Sequence, residues 1–169
     1  MGFPIRYSRG LKVLLPLLLL AYGFGSGDQS LSNWLESAGC VALLLGSVAV
    51  HEFGHVVVVQ RLGLTVNAVT LTAFGGLTDY EGPPRSPLAQ GAIAFAGPFT
   101  SALLAVILLA ARLSVGGGDV DAGLAGVLTF GVGTNVMITV VNLLPFPALD
   151  GGQIVGSIWR GLSGRRERA

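Results

Sequence analysis

Two long runs without charged residues restrict this chain to folds that a membrane can accommodate. Residues 86–111 and 122–149 contain no Asp, Glu, Lys or Arg. Each run exceeds the roughly 20 apolar residues that a helix needs to cross a bilayer. Charged residues make up 11% of the chain, well below the roughly 25% that is typical of soluble domains. The sequence therefore predicts a membrane protein with several spans.

The predicted architecture is a single all-α polytopic membrane domain that includes a small β element. The first apolar stretch is short for a full crossing, and a cleaved signal peptide is the alternative interpretation of it. An alternating pattern after the second span, interrupted by two glycines, predicts a β-hairpin or small sheet. We predict one domain over residues 1–169, with spans at about 8–27, 37–60, 87–111 and 122–144, a β element at 65–82, and an interfacial helix with a basic tail at 151–169.

The charges at the two ends of the chain predict an orientation. Basic residues precede the first span and crowd the end of the chain, whereas Asp28 and Glu36 flank the loop between the first two spans. By the positive-inside rule, both termini are expected in the cytoplasm. Four crossings agree with this, although Arg112 on the outer side is an exception. The basic tail is expected to contact anionic lipid, and no nucleic-acid partner is predicted.

The second predicted span contains the segment His51-Glu52-Phe53-Gly54-His55, which holds the two histidines of the chain. Residues four positions apart lie on one face of a helix, so both imidazoles can reach one metal ion, and Glu52 can reach a water beside it. The alternative is that both histidines only fill helix positions. Ionisable groups within a membrane are costly and mark functional sites, which favours a metal site. Its expected depth is in the cytoplasmic half of the bilayer.

A catalytic zinc usually has three protein ligands and one open position. No third histidine is available, and Cys40 lies too far from His51 along the same helix. Asp150 is the best candidate. It ends the last span, where Pro145, Pro147 and the glycine pair after Asp150 are expected to unwind the helix. The alternative for Asp150 is an ordinary turn or N-cap carboxylate, since Asp-Gly-Gly is common in turns.

Together, His51 to His55 and residues 142–152 resemble the paired motifs of site-2 proteases, which are intramembrane zinc metalloproteases. The resemblance extends to Phe74-Gly75-Gly76 and Ala96-Gly97-Pro98, so it covers most of the chain from about residue 37 to residue 152. Leu143 stands where the family has its first proline. Many members also carry a PDZ domain or CBS domains, and the chain has room for neither. The resemblance therefore implies a minimal catalytic core.

The resemblance implies that His51, His55 and Asp150 bind one zinc ion and that Glu52 is the general base. The expected function is hydrolysis of peptide bonds in or near transmembrane segments of membrane protein substrates. The main alternative is a metal transporter or sensor that uses the same residues. The expected partners are such a substrate and the lipid bilayer, and nothing in the sequence indicates an oligomeric state.

Two further roles are predicted around this centre. Asn142, at the start of the predicted break, is a candidate donor to the oxyanion that develops during hydrolysis. Its alternative role is to bond backbone carbonyls that the break leaves free. Gly75 and Gly76 belong to the β element, whose edge is expected to hold an unwound substrate by backbone hydrogen bonds. The alternative is that this element is only a tight connector.

Overall fold

The computed structural model of the protein describes residues 2–25, 27–73, 75–116 and 119–166. Over these residues the chain forms five helices and a three-stranded sheet. The elements in chain order are β1 (Ile5–Tyr7), α1 (Arg9–Gly25), α2 (Leu31–Arg61), β2 (Val66–Thr72), β3 (Gly75–Tyr80), α3 (Pro87–Ser114), α4 (Asp119–Asn142) and α5 (Asp150–Arg166). The mainly helical fold with a small sheet agrees with the predicted class.

Three helices in the described part of the chain are long and apolar enough to cross a membrane, where we predicted about four. They are α2, α3 and the part of α4 from Ala122 to Asn142. The protein is therefore an integral membrane protein with several spans. The predicted first span corresponds to α1, which has 17 residues and begins at Arg9. At 1.5 Å per residue it is about 26 Å long, shorter than the roughly 30 Å hydrocarbon core.

The starts of α2 and α3 are fixed by serine caps. The Ser30 hydroxyl accepts a hydrogen bond from the backbone N–H of Asn33, and the Ser86 hydroxyl accepts one from that of Ala89. Such caps satisfy backbone donors that have no partner inside the helix. Pro87 at the first turn of α3 has no N–H to satisfy, so it suits that position. Both long helices therefore begin where the sequence provides a cap.

The predicted β element is present, and it is larger than a hairpin. Strands β2 and β3 pair in antiparallel fashion, with Val69 opposite Thr78. The N-terminal strand β1 pairs in parallel with β2, with Ile5 opposite Val69, and gives the order β1-β2-β3. We did not predict β1, because a three-residue strand carries little pattern of its own. Residues of α1, α2 and α3 pack against the sheet in one apolar cluster: Leu11, Val56, Val59, Val66, Val69, Leu71 and Ile93.

The predicted break after α4 is present at residues 143–149. The α4 helix ends at Asn142, and α5 begins at Asp150, after the two prolines. The glycine pair does not unwind the helix as we expected, because Gly151 and Gly152 lie in the first turn of α5. A methyl group on Gly151 would collide with the carbonyl of Leu143, and one on Gly152 with that of Phe146. These glycines allow α5 to pack directly against the break.

Candidate metal centre

Helix α2 places His51, Glu52 and His55 in the interior of the protein. Their exposed fractions are 4%, 4% and 7%. Each residue offers one ligand atom, and these atoms lie within 4.8 Å of one another. Because one helical turn separates the two histidines, their imidazoles lie next to each other on one face of α2. The sequence spacing alone accounts for this part of the site.

Asp150 contacts both histidines, although it lies 99 residues after His51 in the sequence. Its Oδ2 atom lies 3.2 Å from His51 Nε2 and 3.4 Å from His55 Nε2. The two Nε2 atoms are 3.3 Å apart. Asp150 is also the first residue of α5, where the helix dipole favours a carboxylate. Asp150 is therefore both the N-terminal residue of α5 and the residue that contacts the two histidines.

The spacing of these three atoms fits a zinc ion. Around tetrahedral zinc, nitrogen and oxygen ligands at about 2.0–2.2 Å lie about 3.3–3.6 Å from one another. The three separations of 3.2, 3.3 and 3.4 Å are close to this range. Burial raises the pKa of Asp150, but its hydrogen-bonding contacts with His51 and His55 outweigh burial and hold the pKa below its ordinary value. The carboxylate form, which binds metals, is thus favoured.

One face of α3 lies against both imidazoles. His55 Nδ1 is 2.8 Å from the carbonyl oxygen of Ile93, and His51 Nδ1 is 3.0 Å from the hydroxyl oxygen of Ser101. Gly97 lies between these two contacts, and a methyl group there would collide with His55 Nε2 and lie 2.6 Å from His51 Nε2. Ile93, Gly97 and Ser101 are spaced four residues apart, so they form a single stripe on α3.

Strand β3 lies against Glu52. The Thr78 hydroxyl donates a hydrogen bond of 2.6 Å to Glu52 Oε2. A methyl group on Gly76 would collide with the Glu52 side chain, so the close approach of the strand requires glycine at this position. Gly75 favours glycine for a different reason, because its φ of +132° is a backbone conformation that residues with a side chain rarely adopt. Phe74, the first residue of the glycine element in the family resemblance, lies outside the described residues.

Two cavities meet at the site. The larger, of about 380 Å³, extends between α1, α2, the sheet and α4, and most of its walls are apolar. The smaller, of about 120 Å³, includes Asp150, Thr78, Tyr80 and Gln153. Burial raises the pKa of Tyr80, so its phenol keeps its proton. The two cavities share five of their lining residues: His51, Glu52, Gly76, Asn142 and Ala148.

Asn142 lines both cavities, but its amide is already engaged. Its Nδ2 donates a hydrogen bond of 2.9 Å to the carbonyl of Ile138, one turn earlier in α4. This resembles its alternative predicted role, except that the carbonyl belongs to the helix and not to the break. The sequence did not predict the contacts of Ser101 and Thr78, or the place of Tyr80 in the wall of the smaller cavity. No spacing rule links these residues to the histidine motif, so only the fold brings them together.

The sequence model of peptidase family M50 matches residues 39–118 and 114–169 of the chain. The chain belongs to peptidase family M50. The match includes both segments that carry the resemblance to site-2 proteases, so that resemblance is confirmed. The M50 match also covers α3, whose stripe contacts the two histidines.

The names of several relatives of this M50 chain include the term zinc metalloprotease. Rip3 of Mycobacterium tuberculosis, which is named as one, is 37% identical over 165 residues, covering 94% of this chain and 42% of Rip3. A Synechocystis protein named in the same way is 29% identical over 179 residues, covering 99% of this chain and 44% of that protein. The chain therefore spans less than half the length of the curated relatives it matches.

A solved structure shares the M50 fold. The site-2 protease from Methanocaldococcus jannaschii aligns with a TM-score of 0.66 and 24% sequence identity. The alignment covers 94% of this chain and 68% of that protein. The fold of this M50 chain is therefore that of a site-2 protease.

Proposed function

We propose that this chain is a zinc-dependent intramembrane endopeptidase that cleaves peptide bonds in or near transmembrane segments. The main support is the convergence of His51, His55 and Asp150 beside Glu52, inside a bundle with three membrane-length helices. In this proposal His51, His55 and Asp150 hold one zinc ion, which would supply a positive charge to polarise the scissile carbonyl and the attacking water.

Glu52 acts as the general base in this mechanism. Its carboxylate accepts a proton from the attacking water and then delivers this proton to the leaving amine. The hydrogen bond from Thr78 to Oε2 holds the carboxylate in position. Since the second oxygen, Oε1, is not the acceptor of that bond, we assign the proton transfer to Oε1. The smaller cavity, with its polar residues Tyr80 and Gln153, is the proposed path for water.

The substrate is proposed to bind beside strand β3, in the larger cavity. Gly75 and Gly76 line this cavity at the start of β3, which lies at the edge of the sheet. An extended peptide can bond to such an edge through its backbone. Asn142 is the proposed donor to the oxyanion. An amide has two N–H donors, so the bond to Ile138 leaves one for the substrate.

The proposed orientation places the sheet end of the helices in the cytoplasm. Strand β1 pairs with β2, and α5 packs beside the start of α3 through an Arg160–Gln90 hydrogen bond of 2.7 Å. Both described ends of the chain therefore lie at the same end of the helices. This end carries most of the basic residues of the described chain: Arg6, Arg9, Lys12, Arg61, Arg85 and Arg160. The positive-inside rule favours the cytoplasmic side for it.

The decisive experiment is Glu52→Gln, assayed on a membrane-embedded substrate in proteoliposomes. We expect this variant to keep its zinc and to lose cleavage, because the amide cannot accept the proton of the attacking water. Glu36→Gln changes a glutamate at the other end of the same helix and is the matched control, which should cleave as wild type does. Cleavage by Glu52→Gln at the wild-type rate would contradict the assigned base.

The same preparation distinguishes the main alternative. A metal transporter or sensor would use the same three ligands, but it would not need a general base beside them. Zinc flux into proteoliposomes that contain the wild-type chain, without cleavage of any membrane substrate, would favour transport. Cleavage without flux would support the protease.

A further inference from the structure

The stripe of Ile93, Gly97 and Ser101 on α3 provides a hydrogen-bond acceptor for the Nδ1 atom of each imidazole. We propose that Ser101 is a positioning residue whose hydroxyl accepts the Nδ1 proton of His51 and thereby presents Nε2, without a proton, to the metal. The inference rests on the proposed zinc site, since it assigns what holds one of the ligands. Ser101 itself does not touch the reacting atoms.

The contact between Ser101 and His51 lies in the interior of the protein. The Oγ–Nδ1 distance is 3.0 Å, and the exposed fractions are 0% for Ser101 and 4% for His51. Such burial leaves little room for water to replace the hydroxyl. A metal-binding imidazole usually donates its other N–H to an acceptor, which fixes both the tautomer and the orientation of the ring. Ser101 is in the position of that acceptor.

The second histidine provides an internal comparison. His55 Nδ1 is 2.8 Å from the carbonyl oxygen of Ile93. A carbonyl can only accept a hydrogen bond, so His55 must carry its proton on Nδ1 in order to make this contact. The main chain therefore sets the tautomer of His55 whatever the side chain at position 93. The tautomer of His51 depends instead on the side chain of Ser101, so a substitution of Ser101 can test the proposal.

The opposite directions of α2 and α3 explain why one stripe serves both rings. His55 lies level with Ile93, and His51 lies level with Ser101, two helical turns further along α3. Gly97, midway between them, has no side chain to separate α3 from the two Nε2 atoms. The stripe thus provides a hydrogen-bond acceptor for His55 at Ile93 and one for His51 at Ser101. Between them, Gly97 leaves unfilled space beside the two Nε2 atoms.

The test measures zinc affinity of the purified full chain in detergent micelles, by competition with a chelator of known affinity. Loss of an outer-shell partner typically weakens metal binding about 10–100-fold. We expect a loss of this size for Ser101→Ala. Ser101→Thr retains a hydroxyl and should bind zinc much more tightly than Ser101→Ala.

A matched control distinguishes positioning from simple loss of a buried serine. Ser47 on α2 is also 0% exposed, and it bonds to the carbonyl of Leu43 and to Asn135 instead of to a histidine. Ser47→Ala should bind zinc with wild-type affinity. Circular dichroism verifies that the variants retain their helices.

The outcomes separate this inference from the proposed function. Wild-type affinity in Ser101→Ala, or an equal loss in Ser47→Ala, would overturn the role of Ser101 and leave the zinc site intact. If Ser101→Thr binds zinc no better than Ser101→Ala, the hydroxyl is not the relevant group and the inference fails. If the wild-type chain binds no zinc, or if His51→Ala binds it equally well, then the zinc site itself is wrong.

Discussion

At the scale of single residues, the room for a metal depends on Gly97. This glycine lies where α3 passes directly over the Nε2 atoms of both histidines. Any side chain at this position would occupy the space in which the ligand atoms meet. A glycine in the middle of a helix costs about 1 kcal/mol relative to alanine. The structure gives a reason for that cost, because the proposed metal centre needs unfilled space on this face of α3.

Gly97→Ala tests this reason. The added methyl group would collide with His55 Nε2 and crowd His51 Nε2, so we expect zinc content to fall to a small fraction of the wild-type value. Gly46→Ala, an exposed glycine in α2 with open space around it, is the matched control and should retain full zinc. Metal analysis of the purified variants measures both. Equal zinc in the two variants would contradict the tight approach of α3.

Thr78→Val removes the hydrogen bond to Glu52 without a large change of shape. A hydrogen bond to a charged group is worth about 1.5–3 kcal/mol, so we expect kcat to fall about tenfold or more while zinc content remains unchanged. Thr70→Val, on the neighbouring strand, should cleave at the wild-type rate. A kcat for Thr78→Val equal to that of wild type would show that Glu52 does not need this support.

Part of the candidate site could be predicted from local spacing in the sequence. His51, Glu52 and His55 share one helix, so the 3.6-residue period was enough to group them. The position of Asp150 beside the histidines could be predicted because a zinc centre with two histidines would need a third ligand, and the prolines mark Asp150 as the residue that ends the last span. Ser101 and Thr78 could not be predicted, because an isolated hydroxyl in an apolar helix or strand carries no sign of what the fold brings against it.

At the scale of elements, the position of Asp150 depends on how α5 begins. Gly151 and Gly152 pack against the carbonyls of Leu143 and Phe146, so the first turn of α5 lies directly on the break. The sequence predicted the break from its two closely spaced prolines, because each proline removes a helix hydrogen bond and kinks or breaks the helix. It did not reveal the role of the glycines, since this depends on contacts that form only when α5 folds back.

Gly151→Ala should move the start of α5 and separate Asp150 from the histidines. The methyl group would collide with backbone atoms, which cannot rotate away as a side chain can. We expect zinc affinity to fall at least tenfold. Gly161→Ala is the control on the same helix, since its methyl group would meet Pro87 at an ordinary 3.8 Å. Chelator competition compares the two variants, and similar affinities would contradict this account of α5.

Strand β1 illustrates a different limit of prediction at this scale. Its partner, β2, lies about 60 residues away, and α1 and α2 intervene between them. Periodicity can reveal a strand only over several residues, and β1 has three. The same pairing returns the N-terminus to the sheet end of the bundle. It therefore supports the proposal that both described ends of the chain lie on the same side of the membrane.

At the scale of the whole molecule, a bound ion would join two distant parts of the chain, α2 and α5. A ligand that binds only the folded state stabilises it, by about 2.7 kcal/mol at a concentration 100 times its Kd. We expect zinc at this excess to raise the Tm of the metal-free chain and a chelator to reverse the change. An unaltered Tm over the same range of zinc concentration would indicate that the ion does not connect the two helices.

The central claim is that donors from α2 and α5 bind the same ion. Metal analysis of the purified wild type, His55→Ala and Asp150→Ala tests it most directly, with Asp79→Ala on β3 as a control acidic residue. We predict about one zinc per chain in the wild type and the control, and near-complete loss in both of the other variants. Stoichiometric, tightly bound zinc in Asp150→Ala would contradict the claim.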